Sequence, residues 1–593
     1  MVLFVLVMEM ILKSTSTEGL VIKAPLKAFM DDITVLSKAD SATRKVLERL
    51  DQLISWARMK FKAKKSRSCS LRKGKPKEVR FTIAGDPMPT VKEEPVKSLG
   101  RWYKGNLSDR SRGVEVFNEA VEGLKSIDHS KLPGKFKLWC LQFALYPRLL
   151  WPLMVYEIAE SRVEMVEKKC RAYTRKWLGL PKCLNSSALY GKGLPLELPI
   201  TSIVEEYKAG KVRTVMMLRF SKDSKIREDP PEVRTGKRWS AEQAANEAEA
   251  ELRHRDIVGS VQSGRQGVGI NHFTPFCMSS DKEKRDAVVA TVRGREHEKA
   301  RLHLVRCPQQ GQCLNWQEMV VDRKLSWKEL WKWEPARTSF LIKSTYDVLP
   351  SAANLVRWGL EEDDKCKCGQ YGSVRHTLSS CSLGLHGGRY TWRHDQVLRV
   401  ISEALKEKID GINAGKVPQK EVLTRVNFHQ QGATCPRGEG SGRVKRRDDR
   451  WEGHWKIAID LDEFLVFPAV STTKRPDIVI WNEGRRIVHL LELTVPWESN
   501  LDIAEERKEI RYEKLLEQCE EQGWTATHSH LGVGARGYVD KKLLHLFRME
   551  MGFSPTEVKQ LREQVQEAAE KASLFIWLKR NDSTWLENSS MIA

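Results

Sequence analysis

The chain has 593 residues and a mass of 68.1 kDa, enough for about four domains at ~150 residues each. Hydrophobic residues make up 41%, including 19 tryptophans, which excludes wholesale disorder. The 100 basic and 78 acidic side chains leave a net charge of +22, so the expected partner is a polyanion, DNA or RNA. The apolar opening Met1–Leu12 is too short to span a bilayer and carries Glu9. It has no basic run before it and no small-residue cleavage site after it, so neither a signal peptide nor a membrane contact is expected. The twelve cysteines fall at irregular spacing, which points to a reducing compartment rather than a disulfide framework. Residues 1–105 read as a helix, an acidic hairpin, a second helix and a basic stretch. Residues 106–225 carry apolar groups at helical spacing, and 226–350 form a further helical region in which Ser240 caps a helix. A cysteine-bearing segment spans 351–429. The Gly- and charge-rich 430–450 reads as a linker, and 451–593 as a separate α/β unit with clear strand signals. The fold class expected is therefore multidomain, with α+β and α/β parts.

Asp31 and Asp32 lie between two apolar runs, in VIKAPLKAFMDDITVLS. Two adjacent acids at a hairpin tip can hold a divalent ion against nucleotide phosphates. Phe29-Met30-Asp31-Asp32 resembles the (Phe/Tyr)-x-Asp-Asp hairpin of reverse transcriptases. Lys65-Ser66, inside 56–75, resembles the lysine-bearing element that follows it, and Leu99-Gly100 lies in a stretch similar to a primer grip. From Lys60 to Lys75 there are eight basic residues and no acid, a run that attracts phosphates without reading sequence. A reverse-transcriptase palm needs a third carboxylate from a strand well upstream, and only thirty residues precede Asp31. The expectation is a partial palm without fingers, a polymerase remnant that does not synthesise DNA alone. The helical 106–225, with Pro147-Arg148, Trp151-Pro152, Trp177 to Pro181 and Leu198-Pro199-Ile200, resembles the thumb of non-LTR retrotransposon proteins.

Cys366, Cys368, His376 and Cys381 supply three thiolates and an imidazole over a short span bearing Gly369 and Gly372. Zinc takes four such ligands as a tetrahedron, so a zinc knuckle is expected. The stretch Arg389 to Asp395, RYTWRHD, follows. Trp392 offers a stacking face and Arg393 a phosphate donor. A knuckle followed by an Arg-His pair resembles the C-terminal region of LINE-type elements that carry a restriction-enzyme-like endonuclease.

In RPDIVIWNEGRRIVHLLELTVP, Asp477 opens an apolar strand, Asn482-Glu483-Gly484 is a turn signal, and a second strand follows. A hairpin centred between residues 484 and 485 sets Asp477 opposite Glu492, since both pairs of numbers sum to 969. Opposed carboxylates repel unless a cation lies between them, and a buried acid needs a partner. An oxygen-only pair favours Mg²⁺ or Mn²⁺. The pattern resembles Pro-Asp…(Asp/Glu)-x-Lys nucleases, with Thr494 where lysine would stand. On the next helix Ala504, Lys508, Tyr512, Leu515 and Cys519 share a face, and the resemblance implies that Lys508 and Tyr512 take part in catalysis. Arg511 and Lys514 are the substitutes for Lys508.

The resemblance continues through Val495-Pro496-Trp497-Glu498 and Val533 to Tyr538. It covers nearly the whole chain in one domain order, that of non-LTR (LINE-type) retrotransposon proteins with a restriction-enzyme-like endonuclease, here truncated at the N-terminus. It implies Mg²⁺-dependent DNA nicking for target-primed reverse transcription. Zn²⁺ would sit in the knuckle (Cys366, Cys368, His376, Cys381), and Mg²⁺ at Asp477 and Glu492 with a remnant site at Asp31 and Asp32. It further implies DNA and RNA partners, a full-length element-encoded protein, and nuclear localisation after a cytoplasmic ribonucleoprotein stage. The other reading is a catalytically inactive nucleic-acid-binding remnant.

Overall fold

The structure is a computed structural model, described for residues 2–17, 26–29, 31–105, 108–109, 111–258, 260–264, 267–271, 276–416, 419–423, 443–447, 449–461, 465 and 470–582. It mixes helices with small sheets in two compact units. One comprises 1–126, 143–168 and 203–292; the other comprises 127–142, 169–202 and 293–593. The helical stretch 106–225 contributes to both.

In the first unit, a helix Val2–Thr17 packs Met8 and Ile11 against Val46, Leu50 and Ile54 of a second helix, Asp40–Trp56. Between them lies the hairpin Leu26–Phe29 and Asp32–Val35, with Phe29 paired to Asp32. Three more hairpins follow, at 70–77, 81–88 and 96–103. The last turns at Leu99 (φ 47°) and Gly100 (φ 85°), two left-handed residues in succession, as a type I′ turn requires. Ser240 accepts a hydrogen bond from the Gln243 amide at 3.3 Å and so caps the helix Ala241–Val258. Gly134–Val155 is long and apolar enough, by length and composition, to cross a membrane. Its Leu138, Leu149 and Leu153 are buried inside the protein, while Trp139, Phe143 and Trp151 are exposed.

The second unit contains a four-stranded sheet, whose elements we label in chain order. Helix α1 is Arg389–Asn413; the strands are β1 Lys456–Ile459, β2 Ile478–Asn482, β3 Ile487–Thr494 and β4 Thr525–Gly532. Helix α2, Leu501–Glu521, connects β3 to β4; α3 is Lys541–Met549 and α4 is Pro555–Leu578. The spatial order is β1-β2-β3-β4, antiparallel twice and then parallel. The parallel pair needs a crossover, and α2 is that crossover. Alternation along the strands sends Ile478, Ile480, Leu491 and Leu493 to one face, against α1, α3 and α4. It sends Val479, Val488 and Leu490 to the other, against Tyr512, Leu515 and Cys519 of α2. The first of these cores takes Val397, Leu398, Ile401, Leu405, Ile409 and Ile412 from α1, ahead of residue 451. The expected linker 430–450 lies mostly outside the described residues. Its described part includes a strand, Arg443–Arg447, paired with Gln419–Leu423.

Val533 to Tyr538 and Glu498 serve this architecture. Arg536 pairs with Glu498 at 2.7 Å and stacks on Trp497 and Trp316, both of them buried. The Tyr538 and Thr345 hydroxyls lie 2.8 Å apart.

Candidate metal centres

The knuckle is a tight turn. Cys366 N–H donates to the Gln370 carbonyl (2.7 Å) and Gly369 N–H to the Cys366 carbonyl (2.8 Å), with Gly369 at φ +83°. That left-handed glycine closes the turn across the one-residue gap between Cys366 and Cys368. The Cys366 and Cys381 sulfurs lie 3.8 Å apart, and Cys368 Sγ lies 3.1 Å from His376 Nε2. All four ligand atoms fall within 4.8 Å of one another. Burial holds the His376 pKa below its usual value, which keeps the imidazole neutral and able to ligate. Three sulfurs and one nitrogen at this separation fit a zinc-type ion.

Helix α1 starts at the knuckle. The Tyr390 hydroxyl accepts from the Cys381 amide (3.0 Å) and donates to the Thr377 carbonyl (3.0 Å). Arg393 is 2% exposed; its guanidinium donates to the Leu378 carbonyl (2.7 Å), the Ser573 hydroxyl (3.1 Å) and the Val495 carbonyl (2.9 Å). This corrects the expected phosphate-donor role: Arg393 lies on the inward stripe with Arg389 and Val397, and its charge ties the knuckle to the end of β3. Trp392 packs on Phe575, with ring centroids 5.4 Å apart.

The next residue reaches the second centre. Strands β2 and β3 pair with Ile478 opposite Leu491, the register expected from the turn, so Asp477 and Glu492 face each other one step beyond the ladder. Each carboxylate binds the other strand's backbone: Glu492 Oε2 accepts from Asp477 N–H (3.2 Å), and Asp477 Oδ2 accepts from Leu493 N–H (2.7 Å). Both lie on the face covered by α2, where the Lys508 ammonium donates to Glu492 Oε1. Burial and then the neighbouring Asp477 charge raise the Glu492 pKa, and Lys508 opposes them. Tyr512 is fully buried and donates its hydroxyl to the Arg475 carbonyl (2.9 Å). Burial, with Glu492 beside it, keeps that phenol protonated. This hydrogen bond ties Tyr512 to the segment before Asp477, and the same hydroxyl interacts with the Glu492 carboxylate.

His394, from α1, lies on the Asp477 side. Its Nε2 is 3.3 Å from Asp477 Oδ2 and 3.3 Å from the Leu493 carbonyl, and its Nδ1 is 3.1 Å from Asp395. Burial alone would lower its pKa, but the two carboxylates outweigh burial and push it up to about 10. The two carboxylates thus favour the protonated form of the imidazole on Asp477, as an ammonium sits on Glu492. Arg511 and Lys514, the substitutes, are exposed on α2.

Compared with known protein families and with curated proteins, the chain matches none.

Asp31 and Asp32 differ from the C-terminal pair in exposure: both are exposed on their hairpin, whereas Glu492 is buried and Asp477 half-buried. Among the described residues the four knuckle side chains are the one group of three or more such ligands at metal distance, and neither carboxyl pair is joined by a third. Two residues escaped the sequence reading. Asp460 directly follows β1 and donates its amide to the Asp477 carbonyl (2.9 Å); Arg475 pairs with Asp460 (2.6 Å). Ile459 opposes Ile478, so Asp460 stands opposite Asp477. The long connection between β1 and β2 offers no short turn from which to count that register, and β1 has only four residues.

Proposed function

We propose that the C-terminal sheet is the nicking site of a non-LTR retrotransposon endonuclease, with Asp477 and Glu492 holding a divalent ion. The observation that carries this reading is the opposed carboxyl pair, each accepting a backbone N–H of the other strand, with a lysine of the crossover helix on one of them. The donor set fits Mg²⁺: two carboxylates, oxygen only, anchored by backbone amides at their inner edges. Such an ion, when bound, activates a water and neutralises charge on the attacked phosphate. Lys508, displaced from Glu492, would orient that water and meet the charge developing on the phosphate. Tyr512 fixes the backbone two residues before Asp477. Under the same reading, a nick leaves a 3′-hydroxyl for target-primed reverse transcription of the element's RNA. The partners are then DNA, RNA and a full-length element-encoded protein in the nucleus, and Asp31 and Asp32 are a polymerase remnant.

Nicking of supercoiled plasmid by the full chain in Mg²⁺ tests the reading. Asp477→Ala and Glu492→Gln should each abolish it, because one carboxylate does not position the ion and its water. Lys508→Ala should lower kcat by about 10²–10³ with DNA affinity kept. If Asp477→Ala nicks like wild type, the chemistry is elsewhere.

One observation favours the second reading, an inactive nucleic-acid-binding remnant: each carboxylate already holds a basic side chain, His394 on Asp477 and Lys508 on Glu492. If those pairs hold against millimolar Mg²⁺, wild type binds DNA and leaves it intact.

A further inference from the structure

Asp460, Asp477 and Glu492 form one row across β1, β2 and β3. Ile459 opposes Ile478 and Ile478 opposes Leu491, so the next position on each strand lines up on the face toward α2. Each acid holds a different basic side chain: Arg475, His394 and Lys508 respectively. The three are unequally exposed. The side chain of Arg475 is 42% accessible, against 25% for Lys508 and 23% for His394.

Arg475 is also the cation held from two ends. Its Nε and Nη2 both donate to Asp460 Oδ1, at 3.2 and 2.6 Å. Its carbonyl accepts the Tyr512 hydroxyl, and Pro476 restricts its backbone from the other side. A half-exposed ion pair adds little to stability, so stability does not explain this double anchoring. A planar guanidinium fixed at the mouth of an acid site has the geometry of a phosphate grip.

We propose that Arg475 is a phosphate clamp of this site, binding a phosphodiester oxygen of the DNA strand that enters it, with Asp460 as the positioning residue that aims the guanidinium. The proposal rests on the nuclease reading for the identity of the strand. It is read first by binding, which needs no cutting. In EDTA, the affinity of the full chain for a short DNA duplex is measured against salt for wild type, Arg475→Gln and the double variant Asp460→Asn/Arg475→Gln. The double variant restores the net charge of wild type. Melting curves establish that each variant is folded, and Arg475→Met takes the place of Arg475→Gln where the latter is not.

A clamp neutralises one phosphate, so Arg475→Gln and the double variant should both lose about 0.9 from the salt slope. Their affinity should fall several-fold. A double variant with the wild-type slope overturns the proposal, because net field alone would then account for the effect. An unchanged Arg475→Gln overturns it as well. A second readout uses Mg²⁺: Arg475→Gln should raise KM with kcat held within about threefold, and Asp460→Asn with Arg475 intact should raise KM by less, with kcat likewise held. If wild type fails to nick while the slopes fall as expected, the nuclease reading fails and the clamp stands. If wild type nicks and Arg475→Gln matches it in slope, KM and kcat, the clamp fails and the nuclease stands.

Discussion

His489 shows how a residue's face decides its chemistry. It lies on β3 among apolar neighbours, opposite in facing to Glu492, with Nδ1 at 2.6 Å from the Thr527 hydroxyl and its ring stacked on Trp455 at 5.6 Å. Burial, then the Arg450 charge, pushes its pKa down to about 4. The ordinary value is 6.5, so between pH 6.5 and 4 the unfolded chain binds a proton that the folded chain refuses. Stability is full above that window and falls as pH drops through it. His530, opposite Glu492 on β4, is pushed down to about 4 by burial and carries the same sign. His489→Gln should therefore weaken the acid arm of a melting temperature–pH profile without removing it; an unaltered profile would assign the arm elsewhere. The meeting of Asp477, Glu492 and Lys508 was legible because they break patterns, an acid at the head of an apolar strand and a lysine on a semi-apolar stripe. Arg393 was not legible. Arginine is rarely buried unless paired, and the carbonyls that satisfy it come from residues 378 and 495, far away in sequence.

At the scale of elements, the long strands and helices announce themselves and the short hairpins do not. The strands at 70–77, 81–88 and 96–103 have three residues each, too few for alternation to stand out. Their turns carry the information instead. Gly100, at φ 85°, is one of the two left-handed positions of its turn, and a Cβ there would meet Trp151 Cζ2 at 2.9 Å. Gly100→Ala should cost about 1–3 kcal/mol, read as an earlier urea transition, from backbone strain and steric clash together. The knuckle makes the converse case: four ligand residues were enough to locate it without any strand or helix. Purified protein should carry about one zinc, and Cys381→Ser should lose it, because three ligands make a poor tetrahedron. A metal-free wild type prepared without chelator would remove the knuckle as a zinc site.

For the whole molecule, charge and carboxylates make separate statements. The +22 excess is sequence-blind. Part of it is the run from Lys60 to Lys75, which is mostly exposed around a short helical turn and a hairpin, with Arg67 spent on Glu94. Changing Lys62, Lys64 and Lys65 to alanine should lower the salt slope of nucleic-acid binding by about 0.9 for each phosphate left without its lysine, and leave nicking chemistry intact. Primer extension on RNA should give nothing above an Asp31→Ala control, since no third ligand approaches Asp31 and Asp32 among the described residues. Robust extension would mean that a partner chain completes the site.

Helix α1 joins two centres that the sequence presents as separate motifs. Tyr390 and Arg393 hold its first turn to the knuckle, and His394 leaves the same turn toward Asp477. A helix advances about 100° per residue. A single inserted residue between Arg393 and Val397 would therefore set the knuckle and the apolar stripe of α1 out of phase by that angle. Either His394 would swing off Asp477, or the stripe at Val397, Ile401 and Leu405 would turn away from the sheet. The first turn of α1 should thus tolerate exchange of side chains far better than any change of length, and descendants of this chain should inherit knuckle and acid pair as one indivisible cassette.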